Sequence, residues 1–159
     1  MTKFEVGTAL QAMGRARDAQ TADNILRLNS KRFPRELETL RSAYLRRMAE
    51  LRNTDASLEQ DIWTSMELAC RIQGTKFNPD SKNPQQMPAL VRKHGAAEAL
   101  RRTIVGQGES GTRFFQRCVA AGNLTFTSEA ICLRHPDLFD EKTRDVARER
   151  LLQHPSMPQ

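Results

Sequence analysis

Aromatic side chains are scarce, at 6% of the chain, with Trp63 and Tyr44 alone of their kinds. A surface that stacks successive bases of a single strand needs several exposed rings, so no such platform is expected. The cysteines are three, Cys70, Cys118 and Cys132, each in an apolar helical context. That odd number argues against a disulfide framework and for small buried thiols in a reducing compartment. No apolar run approaches the roughly 18 residues that suggest a membrane span. Met1-Thr2-Lys3-Phe4-Glu5 lacks the hydrophobic core of a secretory signal, which makes the cytoplasm the expected location. Strand signals are missing as well. Leu124-Thr125-Phe126-Thr127 alternates but is too short to anchor a sheet, and no internal repeat is found.

Helical periodicity fills the space these absences leave. An apolar content of 38% beside 28% charged residues suits a foldable chain of 159 residues, one domain or two small ones. Leu10, Met13, Ala16, Ala19, Ile25 and Leu28 keep helical spacing over about 7–28, with a break allowed near Thr21. Leu37, Leu40, Tyr44, Met48 and Leu51 form one stripe on a helix opened by Pro34. Ser57 and Gln60 have capping-box spacing ahead of a helix that Gly74 closes. Trp63 on that helix reads as a core anchor. Residues 75–86, with Pro79, Pro84, Asn78 and Asn83, show no apolar period and read as a linker. Short helices follow over 88–94, 96–105, 112–121, 128–135 and 140–153. The expected fold is all-α: a three-helix bundle over 1–74, the linker at 75–86, and a compact unit of four to five short helices over 87–153. A tail at 154–159 completes the chain.

Positive charge is clustered. Residues 27–52 hold 8 Lys/Arg against 3 Asp/Glu, and residues 81–117 hold 7 against 2, within an overall net charge of +6. Phosphates reward clustered cations with counterion release, so a polyanionic partner is suggested. Arginines outnumber lysines 19 to 6, which suits bidentate phosphate or guanine contacts and equally a GC-rich coding bias. On the helix after Pro34, Arg35 and Arg46 lie away from the apolar stripe, while Arg41, Arg47 and Arg52 flank it. The candidate phosphate contacts are Arg35, Arg46 and Arg47 in the first half, and Arg92, Lys93, Arg101, Arg102 and Arg113 in the second.

The remaining motifs are weak. Gly106-Gln107-Gly108-Glu109-Ser110-Gly111 has dinucleotide-loop spacing, but a helix precedes it and no βαβ unit surrounds it. Arg113 stands where a phosphate-binding loop would need other residues, although a helix beginning at Thr112 could attract an anion with Arg113 and Arg117. Residues 88–104 outline a helix-turn-helix with Gly95 at its corner and Arg101 and Arg102 on its second helix, a pattern that any αα corner produces. Cys132 and His135 supply one metal-ligand pair where zinc wants two. His135 beside Pro136 is expected at the last carbonyls of its helix. Carboxylates are spaced as caps and surface pairs, without a convergent acid/base set. No enzyme activity, metal or nucleotide cofactor is expected.

His94-Gly95-Ala96-Ala97-Glu98-Ala99, Gly111-Thr112-Arg113-Phe114, Gly122-Asn123-Leu124-Thr125, Ser128-Glu129-Ala130, Leu138-Phe139 and Ala147-Arg148-Glu149-Arg150-Leu151 together resemble a small helical module of uncharacterised bacterial proteins. The resemblance covers residues 90–151. It implies a helical packing unit of bacterial or mobile-element origin and assigns no activity. Two functions are expected to compete. One is an accessory or regulatory protein that associates with DNA or RNA through its basic helical patches. The other is a helical protein–protein interaction module, such as a homodimer, without a nucleic-acid role.

Overall fold

A computed structural model of the chain describes residues 3–84, 86–106 and 109–153, with side chains described for all of these except 3, 4 and 109–113. The described residues are all-α, with no strand among them. The helices are α1 (Lys3–Arg15), α2 (Ala19–Arg32), α3 (Leu37–Glu50), α4 (Leu58–Gln73), α5 (Met87–His94), α6 (Ala96–Gly106), α7 (Glu109–Ala121), α8 (Ser128–Arg134) and α9 (Glu141–Leu152). Single 3₁₀ turns, Pro34–Glu36 and Pro136–Leu138, precede α3 and α9.

Local chemistry sets most boundaries. Before α4, Gln60 N–H donates to Ser57 Oγ (3.2 Å) and Ser57 N–H to Gln60 Oε1 (2.9 Å), the two arms of a capping box. Gly74 ends α4 at φ 76°, and Thr75 N–H reaches back to Cys70 O (2.9 Å). Thr127 caps α8 through Ala130 N–H (3.1 Å), and Asp140 caps α9 through Thr143 N–H (2.8 Å).

The N-terminal stretch differs from expectation. The apolar residues over 7–28 fall on two helices, so four helices precede Gly74 where three were expected. The break lies at Ala16–Arg17–Asp18. Asp18 is extended there (φ −149°), and its Oδ1 accepts from Thr21 N–H at 2.7 Å, which starts α2. Pro34 opens a 3₁₀ turn, and α3 itself begins at Leu37. Helix α7 begins at Glu109, so the glycine-rich segment is helical from there. Gln107 and Gly108 lie outside the described residues.

The apolar faces bury into two main clusters. The larger gathers Met13 of α1, Leu26 of α2, Leu40 and Tyr44 of α3, Leu68 and Ile72 of α4, and also Ala121 and Phe126. The second joins Leu58 and Ile62 of α4 to Leu100 and Ile104 of α6, Ile131 of α8 and Ala147 of α9. Helix α4 therefore supplies both, and core residues from either side of 75–86 pack together. The fully buried Tyr44 hydroxyl donates to Asp23, which also accepts from Arg71, so α2, α3 and α4 meet at one polar point. Burial and the bond to Asp23 push the Tyr44 pKa well above the ordinary phenol value. Ser65 Oγ donates to Phe126 O (2.7 Å) and ties α4 to the turn before α8.

Segment 75–84 is held to the body. Phe77 meets Trp63 with ring centroids 5.9 Å apart. Arg92 donates to Pro79 O (2.9 Å) and to Ser81 O. Trp63 is half-buried, packed between the second cluster and this segment.

Candidate nucleic-acid interface

Helix α2 buries Ala22 and Leu26 against the larger cluster, followed by Phe33. At about 100° per residue, Arg27, Leu28, Lys31 and Arg32 then fall on the opposite side. All four are exposed, Leu28 at 61%. Arg35 follows, exposed on the 3₁₀ turn. Residues 24–35 contain no Asp or Glu. Among the described residues no carboxylate pairs with Arg27, Lys31, Arg32 or Arg35. Lys31 and Arg32 sit in the last turn, where cations complement the negative end of the helix dipole. The Arg32 guanidinium also lies 5.3 Å from the centre of the Phe33 ring, which holds its stem on the surface.

Most other candidate cations are engaged within the fold. Arg46 is exposed, yet its Nη1 donates to Ala121 O (3.0 Å) at the end of α7. Arg47 donates to Ala16 O (2.8 Å), just past α1, and to Glu50 Oε2 (2.6 Å). Arg92 holds the two carbonyls of the 75–84 segment. Arg101 grips Glu98 through two bonds of 2.7 and 2.6 Å, and Arg102 reaches the same carboxylate at 3.0 Å. These bonds pull the Glu98 pKa down to about 2. Lys93 is exposed at the end of α5. The Arg113 side chain lies outside the described residues. The predicted set is thus divided: Arg35 is exposed on the turn after α2 without a carboxylate partner among the described residues, while the arginines of α3 and of the α5–α6 corner mostly serve carbonyls and Glu98. Carbonyl capping gives the arginine excess a further use, since a guanidinium presents several donors in a fixed plane.

The α5–α6 corner borders a hollow of about 520 Å³, lined in part by His94, Glu98, Arg101, Leu138, Phe139 and Asp140. Its Glu98 is paired with Arg101 and Arg102. Hydrogen bonds to Thr143 lower the Asp140 pKa, and partial burial together with Arg102 and Lys93 lowers that of His94.

A buried ionic node lies deeper. Asp61 is 4% exposed, with His135 Nε2 at 2.8 Å, Arg134 Nε at 3.5 Å and Arg52 Nη1 at 4.0 Å. Arg134 Nη1 also donates to Thr125 O (2.5 Å). Burial lowers the Arg134 pKa, because desolvation penalises the cation. The backbone of His135 meets Cys132 O (3.1 Å), but its ring turns to Asp61 and away from the helix carbonyls where it was expected. Through this contact the node ties α4 to the end of α8. No three His, Cys, Asp or Glu side chains among the described residues are placed to hold a metal ion.

Arg27, Lys31 and Arg32 fall in the basic stretch 27–52 but not among the expected phosphate contacts, although the acid-free run 24–35 signals them, and Leu28, expected on the apolar stripe, is exposed instead. The Asp61 node joins residues 52, 61, 134 and 135, and no local pattern announces it. Comparison of the chain with protein-family models, with curated proteins and with solved structures gives no match in any of the three.

Proposed function

We propose that this chain is a non-enzymatic accessory or regulatory protein that associates with nucleic acid through the solvent face of α2 and the turn after it. One observation carries the reading: Arg27, Lys31 and Arg32 are exposed on the side of α2 away from the core and Arg35 is exposed on the turn that follows, and no carboxylate among the described residues pairs with any of them. Their role is phosphate contact, with affinity driven by counterion release and little dependence on sequence. The arginines that clasp carbonyls or share Glu98 contribute less, because recruiting them to phosphate would break bonds already made.

The test is an anisotropy titration of duplex and single-stranded DNA and RNA at low and moderate salt. Binding should weaken steeply with salt. Each alanine at Arg27, Lys31, Arg32 or Arg35 should reduce the logarithmic salt slope by about one unit. Alanine at Arg101 or Arg102 should change it little. Absence of binding at low salt would reject the proposal in favour of a protein-interaction module, and binding that ignores salt would reject its mechanism.

A further inference from the structure

We infer that the nucleic acid this face takes is a double helix, and that Leu28 enters its groove while the flanking cations hold the rims; the inference rests on the nucleic-acid reading above. Leu28 is 61% exposed on the side of α2 opposite the core. On the helical wheel Lys31 and Arg27 lie about 60° and 100° to one side of it, and Arg32 about 40° to the other. An apolar side chain with cations on both flanks mirrors a groove with phosphates on both rims. The minor groove of duplex DNA is about 6 Å wide, narrow enough for the flanking side chains to span. Leucine is one of the apolar residues that minor-groove proteins insert between base steps.

Other exposed large hydrophobics among the described residues lack this setting. Val105 stands one turn after Arg101 and Arg102, which share Glu98. Leu138 borders the hollow with Glu98 and Asp140. Leu152 follows Arg148, which pairs with Asp145 at 2.7 Å. The face offers no aromatic to a single strand either: Phe33 beside it is buried under Arg32. Single-strand surfaces depend on exposed rings, and this one presents an aliphatic side chain between cations.

The experiment compares the full chain with Leu28→Ala and Arg32→Ala on a duplex and on its separated strand, across salt. Leu28→Ala should weaken duplex binding about fivefold at every salt concentration, leaving the slope unchanged, because the lost contact is apolar. Its binding to the separated strand should equal that of the unaltered chain. Arg32→Ala should lower the slope by about one unit. An unchanged melting temperature for Leu28→Ala is expected from its exposure, so lost binding would not reflect lost fold. If Leu28→Ala binds duplex as the unaltered chain does while Arg32→Ala is weakened, the groove inference is overturned and the phosphate-binding face stands. Equal loss on duplex and single strand overturns the groove placement. Failure of the unaltered chain to bind at low salt overturns both readings.

Discussion

Burial decides the chemistry of the cysteines. Cys118 and Cys132 are 0% exposed, and desolvation pushes their thiols up to about 12 and about 11. Glu129 adds a repulsive charge beside Cys118. The reactive species is the thiolate, so both should be inert at neutral pH. Cys70, in the last turn of α4, is half-buried. Ellman's reagent should therefore titrate one thiol readily in the folded protein and three in denaturant; rapid reaction of more than one in the fold would contradict the packing. Glu98 supports a pH prediction. Bonds from Arg101 and Arg102 hold it near 2, below the ordinary carboxylate value it regains on unfolding. Its contribution is present above that ordinary range and fades as pH falls towards about 2. Stability curves of the unaltered chain and Glu98→Gln should run apart at neutral pH and converge in acid. A constant gap down to pH of about 2 would mean that the Glu98 charge is not coupled to folding.

Capping chemistry makes many elements legible in the sequence alone. Ser57 with Gln60, Gly74, Thr127 and Asp140 mark helix ends because each supplies a bond or a backbone conformation the terminus requires. The break allowed near Thr21 falls slightly earlier, at Asp18, whose carboxylate accepts from Thr21 N–H; apolar spacing continues across it and so does not fix its place. A wheel drawn over 34–52 separates exposed Arg35 and Arg46 from half-buried Arg41, Arg47 and Arg52. It does not name the carbonyls that Arg46 and Arg47 reach, which depend on how α7 and α1 pack against α3. The stretch 75–84 has turn-prone composition, yet Phe77 and Arg92 pin it to the body. Removing the Arg92 guanidinium leaves the Pro79 and Ser81 carbonyls without that donor. Arg92→Ala should speed tryptic cleavage after the exposed Lys76 and Lys82 without a comparable loss of helical signal. Unchanged cleavage would show that Phe77 and the turn bonds suffice to hold the segment.

At the scale of the molecule, α4 decides how the chain unfolds. Its C-terminal half gives Leu68 and Ile72 to the larger cluster, and its N-terminal half gives Leu58 and Ile62 to the second. A rigid helix cannot leave one cluster and keep its place in the other without bending. The Asp61 node also joins α4 to the end of α8, and its contacts with Arg134 and His135 are lost if those elements separate. Sequence composition points to a boundary at 75–86, because it reports which backbone is turn-prone and not which apolar faces meet across it. The expected outcome is therefore one cooperative transition. Trp63 fluorescence, which senses the second cluster, and far-UV circular dichroism, which senses every helix, should fall at the same urea concentration. Ile72→Ala lies in the larger cluster and should shift both curves together by about 2–5 kcal/mol. A fragment beginning at Met87 should not fold, because Leu58 and Ile62 are missing from its core. Two separated transitions, or a folded fragment, would instead make the halves independent units joined by 75–86.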